Sequence, residues 1–94
     1  MGNIIIKHSL DDNKFLAMDG EVQGGYLSYT LEDKNMNILS IFVDPNYRNQ
    51  SLAKKLLDEC VEFVRKEEIK AVPICSYAAR VFEKSNKYDD IKTV

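Results

Sequence analysis

At Asp44-Pro45 the apolar pattern of this 94-residue chain changes its period. Before that point residues alternate: Leu27, Tyr29 and Leu31 fall on one face of an extended segment, Ser28 and Thr30 on the other. After it, Leu52, Leu56, Leu57, Cys60, Val61 and Val64 recur at helical spacing, with Lys54, Lys55, Asp58, Glu59, Glu62 and Arg65 between them. Proline cannot donate to a sheet ladder, so the strand must stop there. A second apolar run at Ile69–Cys75 then follows the helix, which is expected to end near Glu68. Strand, helix and returning strand make a βαβ unit with a parallel pair, and its crossover should be right-handed.

The residues before the switch read as a meander. Asn3–Lys7 is β-branched and reads as a first strand, and Lys14–Met18 as a second, entered through Asp11-Asp12-Asn13. Asp19-Gly20 is a hairpin signal, and a third strand should span Val22–Leu31. Gly24-Gly25 inside it marks a bulge or a close backbone approach. Asp33-Lys34-Asn35 is the next turn. The fourth strand, Asn37–Val43, places Leu39, Ile41 and Val43 on one face and Ile38 and Phe42 on the other, which predicts a strand covered on both sides. A short helix over Ser76–Lys84 and a polar tail with one extended piece complete the order. The expectation is an α/β (α+β) fold: an antiparallel β-meander, a βαβ unit and a short C-terminal helix, forming one domain over residues 1–94.

Composition excludes several classes. Lys and Arg total 13 against 15 Asp and Glu, a net charge of −2, which argues against a nucleic-acid partner. No apolar run approaches the roughly 20 residues of a spanning helix, and Met1–Leu10 lacks the layout of a signal peptide. No membrane partner is expected, and the location reads as cytoplasmic. Two cysteines make no disulfide framework, and the single histidine, His8, builds no histidine-rich metal site.

Two junctions can carry chemistry. Asp44 to Ala53 joins a strand to the long helix, whose first turn has free N–H groups and the positive end of the helix dipole. Such an end binds phosphate, and Arg48 adds a charge with bidentate geometry. The alternative is a plain loop capped by Ser51 or Asn49. Pro73-Ile74-Cys75-Ser76-Tyr77-Ala78 lies at the carboxyl end of the fifth strand, where ligands of open α/β sheets bind. A thiol beside a helix N-terminus gains thiolate character. The alternative for Cys75 is a small buried hydrophobe, and Cys60 belongs to the core. Tyr77 and Tyr88 are candidate proton donors or packing groups. A Cys75–His8 pair is not constrained by spacing, and the carboxylates Glu32-Asp33 and Asp89-Asp90 read as solvated.

Three segments together resemble the GNAT superfamily of N-acetyltransferases, in its short single-domain branch. They are Asn37–Pro45, Arg48–Leu57 and Val72–Ala78, within a likeness covering about residues 22–90. Arg48-Asn49-Gln50-Ser51-Leu52-Ala53 is similar to the superfamily's acetyl-CoA loop, and Cys75-Ser76-Tyr77-Ala78 to the small branch's signature. The resemblance implies acetyl-CoA as a substrate and an amine as acceptor, with no metal. It implies that N–H groups around Asn49 to Ala53, including Gln50, Ser51 and Leu52, hold the pyrophosphate with Arg48 at its edge. It also implies that the strands flanking the long helix splay to admit the pantetheine arm. Amides near Ile41, Phe42 and Val43 would orient the thioester carbonyl, and Cys75 would be a nucleophile or line the acyl pocket. Asn49 and Ser51 stand where the family usually has glycine, and Ser40 where many small-branch members have histidine. These departures favour a second expectation, a binding module of the same fold that performs no transfer. A homodimer could supply a missing wall of the substrate pocket.

Overall fold

The computed structural model describes residues 4–92, with Asn49 and Gln50 through their backbone only. Five strands form one sheet in the order β1-β2-β3-β4-β5. They are β1 (Ile4–Ser9), β2 (Lys14–Asp19), β3 (Val22–Glu32), β4 (Asn35–Val43) and β5 (Lys70–Pro73). The first four pair antiparallel in sequence, and β5 returns parallel to β4 after helix α1 (Leu52–Lys66). Helix α2 (Ser76–Lys84) follows β5. The expected meander and parallel return are therefore present.

Both later hairpin turns are explained by their residues. Gly20 opens the β2–β3 turn at φ 62°, in the left-handed region that glycine occupies without steric cost. Asp33 and Lys34 close the β3–β4 turn with φ 48° and 67°, a two-residue turn that lets Asn35 join the strand. Strand β1 reaches Ser9 rather than Lys7, because His8 and Ser9 pair with Phe15 and Lys14. The predicted start at Asn3 lies outside the described residues. Helix α1 ends at Lys66, since Glu67 caps it and Glu68 turns to φ 57°.

Two bulges set the faces of the sheet. Ala17 pairs with Gly25 and Met18 with Gln23, so Gly24 is an extra residue in β3. Ser28 pairs with Ser40 and Tyr29 with Ile38, so Leu39 is an extra residue in β4. The second bulge corrects the expected alternation of β4. Ile38 lies in the core, Ile41 and Val43 pack against it, and Leu39 turns outward with 42% of its surface exposed. Phe42 is 45% exposed, so β4 is covered on one face and open on the other.

The core lies between the sheet and α1. Every helical position picked out by its spacing, from Leu52 to Val64, is buried. Each large apolar side chain so buried contributes about 1.5–3 kcal/mol. Phe15, Ala17, Leu27, Tyr29, Met36 and Ile38 face them from the strands. The tail closes one edge: Tyr88 stacks on Phe82 with centroids 4.9 Å apart, and Ala71 N–H donates to Ile91 O at 2.8 Å. That contact extends into a parallel bridge from Ala71 to Lys92, the extended piece expected there.

Candidate functional site

Strand β5 is shorter than the apolar run that encodes it. Pairing with β4 stops at Ile38 and Pro73, and Cys75 N–H makes one last bond to Ile38 O at 2.9 Å. Beyond Ile38 the two strands part. Asp44 N–H bonds to Gly24 O, on the β3 side, at 2.8 Å, whereas Val43 O accepts from Arg48 Nε at 3.2 Å on the other side. The twofold period of a strand gives Ile41 the same direction as Val43. Their peptide groups face the gap, and Phe42 turns its peptide to β3.

Between β4 and α1 the chain makes one 3₁₀ stretch, Pro45–Gln50. Asp44 starts it by accepting from Asn46 N–H at 2.9 Å, and Pro45 supplies a fixed φ. Ser51 ends it and precedes α1, with φ 57° and ψ 34°, the left-handed conformation that glycine adopts most readily. Its side chain makes no capping bond, and no acidic residue stands in the first turn. The plain-loop expectation of a Ser51 cap is thus corrected: the first-turn N–H groups of α1 are left uncapped by side chains. That end of the helix carries its partial positive charge undiminished.

A cleft of about 430 Å³ lies at this end, lined by Val43, Arg48, Ser51, Leu52, Ala53, Lys54 and Tyr77. It brings both junctions together, since Tyr77 comes from the first turn of α2 and the rest from the β4–α1 connection. Burial raises the Tyr77 phenol above its ordinary 10.0, with Asp58 and Cys75 adding to the rise and Lys54 opposing it. Lys54 is held by Asp58 at 3.2 Å, one turn along α1. Cys75 is a free, half-buried thiol at the N-cap of α2. The uncapped helix end, cationic Arg48 and the free edge of β4 suit an anionic ligand with an extended arm. The Cβ of Ser51 narrows the approach that glycine would leave open.

Other candidates separate from this cleft. His8 Nε2 meets Tyr29 Oη at 2.6 Å, with the ring stacked on Phe15 at 4.0 Å and edge-on to Phe63 at 4.5 Å. It is a packed histidine in an aromatic cluster, and burial lowers its pKa. Cys60 is fully buried, its thiol pushed up to about 12 by desolvation. Tyr88 is buried against Phe82. Asp90, expected to be solvated, accepts from Arg65 Nε at 3.0 Å, and Glu32 accepts from Asn37 Nδ2 at 2.9 Å. Among the described residues no three His, Cys, Asp or Glu side chains gather as a metal site, and no helix is long and apolar enough to cross a membrane.

Tyr47 and Asp19 were not singled out by sequence reasoning. Tyr47 Oη donates to Asp19 Oδ2 at 2.8 Å, and its ring lies over Gly24, where an added Cβ would sit 3.0 Å from Cγ. The bond to Asp19 raises the phenol's pKa, with desolvation adding. The pair fixes the 3₁₀ stretch that carries Arg48. The glycine doublet was the available signal, because a close approach needs an approaching ring.

A meander whose fourth strand parts from a parallel fifth, beside an uncapped helix end, defines an N-acetyltransferase-type fold. Residues 14–91 match the family of GCN5-related N-acetyl-transferases, and the chain belongs to that family. It is similar to a candidate GCN5-like N-acetyltransferase of Staphylococcus aureus, solved in solution. The two share 31% identity and a TM-score of 0.78, over 98% of this chain and 90% of that one. A candidate GNAT-family acetyltransferase of Desulfovibrio desulfuricans shares the fold at 21% identity and TM-score 0.60, over 76% of this chain and 52% of its own. A GNAT-family acetyltransferase of Staphylococcus aureus Mu50 does so at 23% and 0.58, over 84% and 55%. This chain therefore spans about half the length of each of those two. Among curated proteins none matches the chain.

Proposed function

We propose that this chain is a single-domain, cytoplasmic N-acetyltransferase that moves an acetyl group from acetyl-CoA to an amine. The observation that carries the reading is the cleft at the uncapped end of α1, opening onto the unpaired stretch of β4. Arg48 and the first-turn N–H groups from Ser51 to Ala53 hold the pyrophosphate, with the backbone of Asn49 and Gln50 beside them. The peptide groups of Ile41 and Val43 receive the pantetheine arm as a neighbouring strand would, and their N–H groups polarise the acyl carbonyl. When bound, acetyl-CoA would supply a thioester: the neutral amine would form the new C–N bond and give up its proton to solvent, while the C–S bond breaks and the sulfur leaves as thiolate.

The chain's contribution is chiefly orientation, which can supply several kcal/mol of a barrier. Tyr77 lines the cleft and is protonated at neutral pH like any phenol, so it serves as a proton donor to the leaving sulfur. Cys75 borders this donor and lines the acyl end of the gap.

A second reading, a CoA-binding module without transfer, is favoured by two observations. Ser51 occupies a left-handed position with a side chain, and Ser40 spends its hydroxyl on Ser28 at 2.8 Å. An amide-resolved NMR titration with acetyl-CoA, with desulfo-CoA as control, tests cofactor binding. Shifts concentrated at residues 48–53 and 41–43 are expected. Transfer to a panel of amines then separates the two readings, and an absence of shifts at millimolar ligand overturns both.

A further inference from the structure

Helix α1 opens against the rule for helix charges. A helix N-terminus favours acidic side chains and disfavours basic ones. The first turn of α1 holds no acidic residue, and Lys54 and Lys55 stand third and fourth in it. Arg48 adds a guanidinium on the preceding 3₁₀ stretch. Of the side chains lining the cleft, Arg48 and Lys54 are cationic and none is acidic. Asp44, before the loop, accepts from Asn46 N–H. Among the described residues, Asp58 is the one carboxylate within ion-pair distance of Arg48, Lys54 or Lys55. Both its oxygens accept from Lys54 Nζ at 3.2 Å. Asp58 itself stands one turn along α1, outside the lining of the cleft.

We propose that Asp58 holds the place of the ligand's diphosphate: Lys54 exchanges this carboxylate for that group when the ligand enters, and the exchange favours an acyl carrier with a diphosphate over an uncharged carrier of the same thioester arm. The inference rests on the acetyltransferase reading for the acyl arm, though not for the anion. The pair runs lysine first and acid one turn later, the weaker order for supporting a helix. Its side chains are 52% and 49% exposed, so water screens the attraction and the partners separate readily. Lys54 already borders the cleft, so its flexible stem can turn to an anion at the helix end without movement of the backbone. A diphosphate bound there carries more negative charge than Asp58 and accepts stronger, charge-assisted bonds. An uncharged arm offers Lys54 no better partner than Asp58.

The test is calorimetric titration of the full chain and three variants, Asp58→Asn, Lys54→Gln and both together, with acetyl-CoA, inorganic pyrophosphate and S-acetylpantetheine. Asp58→Asn should bind acetyl-CoA and pyrophosphate about threefold tighter, the scale of one surface ion pair, and leave S-acetylpantetheine unchanged. Lys54→Gln should weaken both anions about tenfold, the scale of a hydrogen bond to a charged group. In the double variant the gain from Asp58→Asn should vanish, because Asp58 acts through Lys54. A gain that survives there means that Asp58 merely repels anions, and it overturns the proposal. So does equal affinity of the wild type and Asp58→Asn, or a gain shared by S-acetylpantetheine. Each variant should melt as the wild type does, which separates binding from folding. Pyrophosphate binding that follows the variants while acetyl-CoA fails to bind upholds the exchange and overturns the acetyltransferase reading. Acetyl-CoA binding that ignores the variants does the reverse, and binding of neither overturns both.

Discussion

Tyr47 and Asp19, 28 positions apart in the chain, meet at 2.8 Å and tie the loop before α1 to the end of β2. The loop that carries Arg48 is thus braced from the meander. This brace works only because Gly24 leaves room for the ring. Tyr47→Phe is expected to lower the unfolding midpoint slightly and to weaken acetyl-CoA binding more than stability. Calorimetric titration beside a thermal melt checks this, and equal loss in both would deny the loop a separate role.

Gly25 is the stricter of the two glycines. A Cβ there would stand 2.6 Å from Phe42 O, a backbone atom that cannot rotate away. Gly25→Ala should cost about 1–3 kcal/mol by forcing β3 from β4, measured by urea unfolding. A neutral result would mean that the strands separate at no cost.

Ser51 bears a conformation that suits a residue without a side chain. Ser51→Gly should gain about 0.5–1 kcal/mol, the left-handed cost removed less the extra entropy of glycine in the unfolded chain. It should also tighten acetyl-CoA binding. Weaker binding in this variant would show that the hydroxyl itself contacts the ligand.

His8 predicts a pH dependence. Its folded pKa is lowered by burial from the ordinary 6.5, so between the two values the unfolded chain binds more protons. The stability this contributes is complete above about pH 6.5 and is lost as pH falls through the folded value. Asp90, lowered by its bond to Arg65 from an ordinary 3.8, acts in a separate window: its contribution is complete above 3.8 and is lost below. The urea midpoint should therefore fall between pH 7 and pH 5, and His8→Gln should flatten that slope.

The two cysteines should differ in reactivity. Cys60 is fully buried with its thiol pushed up to about 12, whereas Cys75 is half-buried at a helix end. Iodoacetamide at neutral pH should add once, at Cys75, as read by peptide mass spectrometry. Cys75→Ala should retain amine acetylation by direct attack; an inactive, folded variant with intact cofactor binding would instead favour a covalent acyl-enzyme.

What could be read from the sequence was whatever one residue or one period decides locally. The turn at Gly20, the buried stripe from Leu52 to Val64 and the bounds of α2 are of that kind. Leu39 was misplaced because a bulge depends on register with β3, and alternation within β4 holds no trace of it. The length of β5 was overstated because Ile74 and Cys75 are apolar enough to pair, yet the ladder ends at Pro73 and only the Cys75 N–H still reaches β4, at Ile38 O. Arg48, Ser51, Ala53 and Tyr77 were legible through resemblance, and the structure lines one cleft with them. The Tyr47–Asp19 bond left only an indirect trace in Gly24, which marks a close approach without naming Tyr47 or Asp19 as the pair.

The extra residue at Leu39 acts as a change of phase along β4. With Leu39 deleted, the strand would keep its partners up to Ile38, but every side chain and peptide group beyond would exchange faces and sides. Phe42 would enter the core, Ile41 and Val43 would meet water, and the carbonyl that takes Arg48 would point into β3. The interior and the open edge are therefore set by one inserted residue, and neither can drift in sequence without carrying the other along.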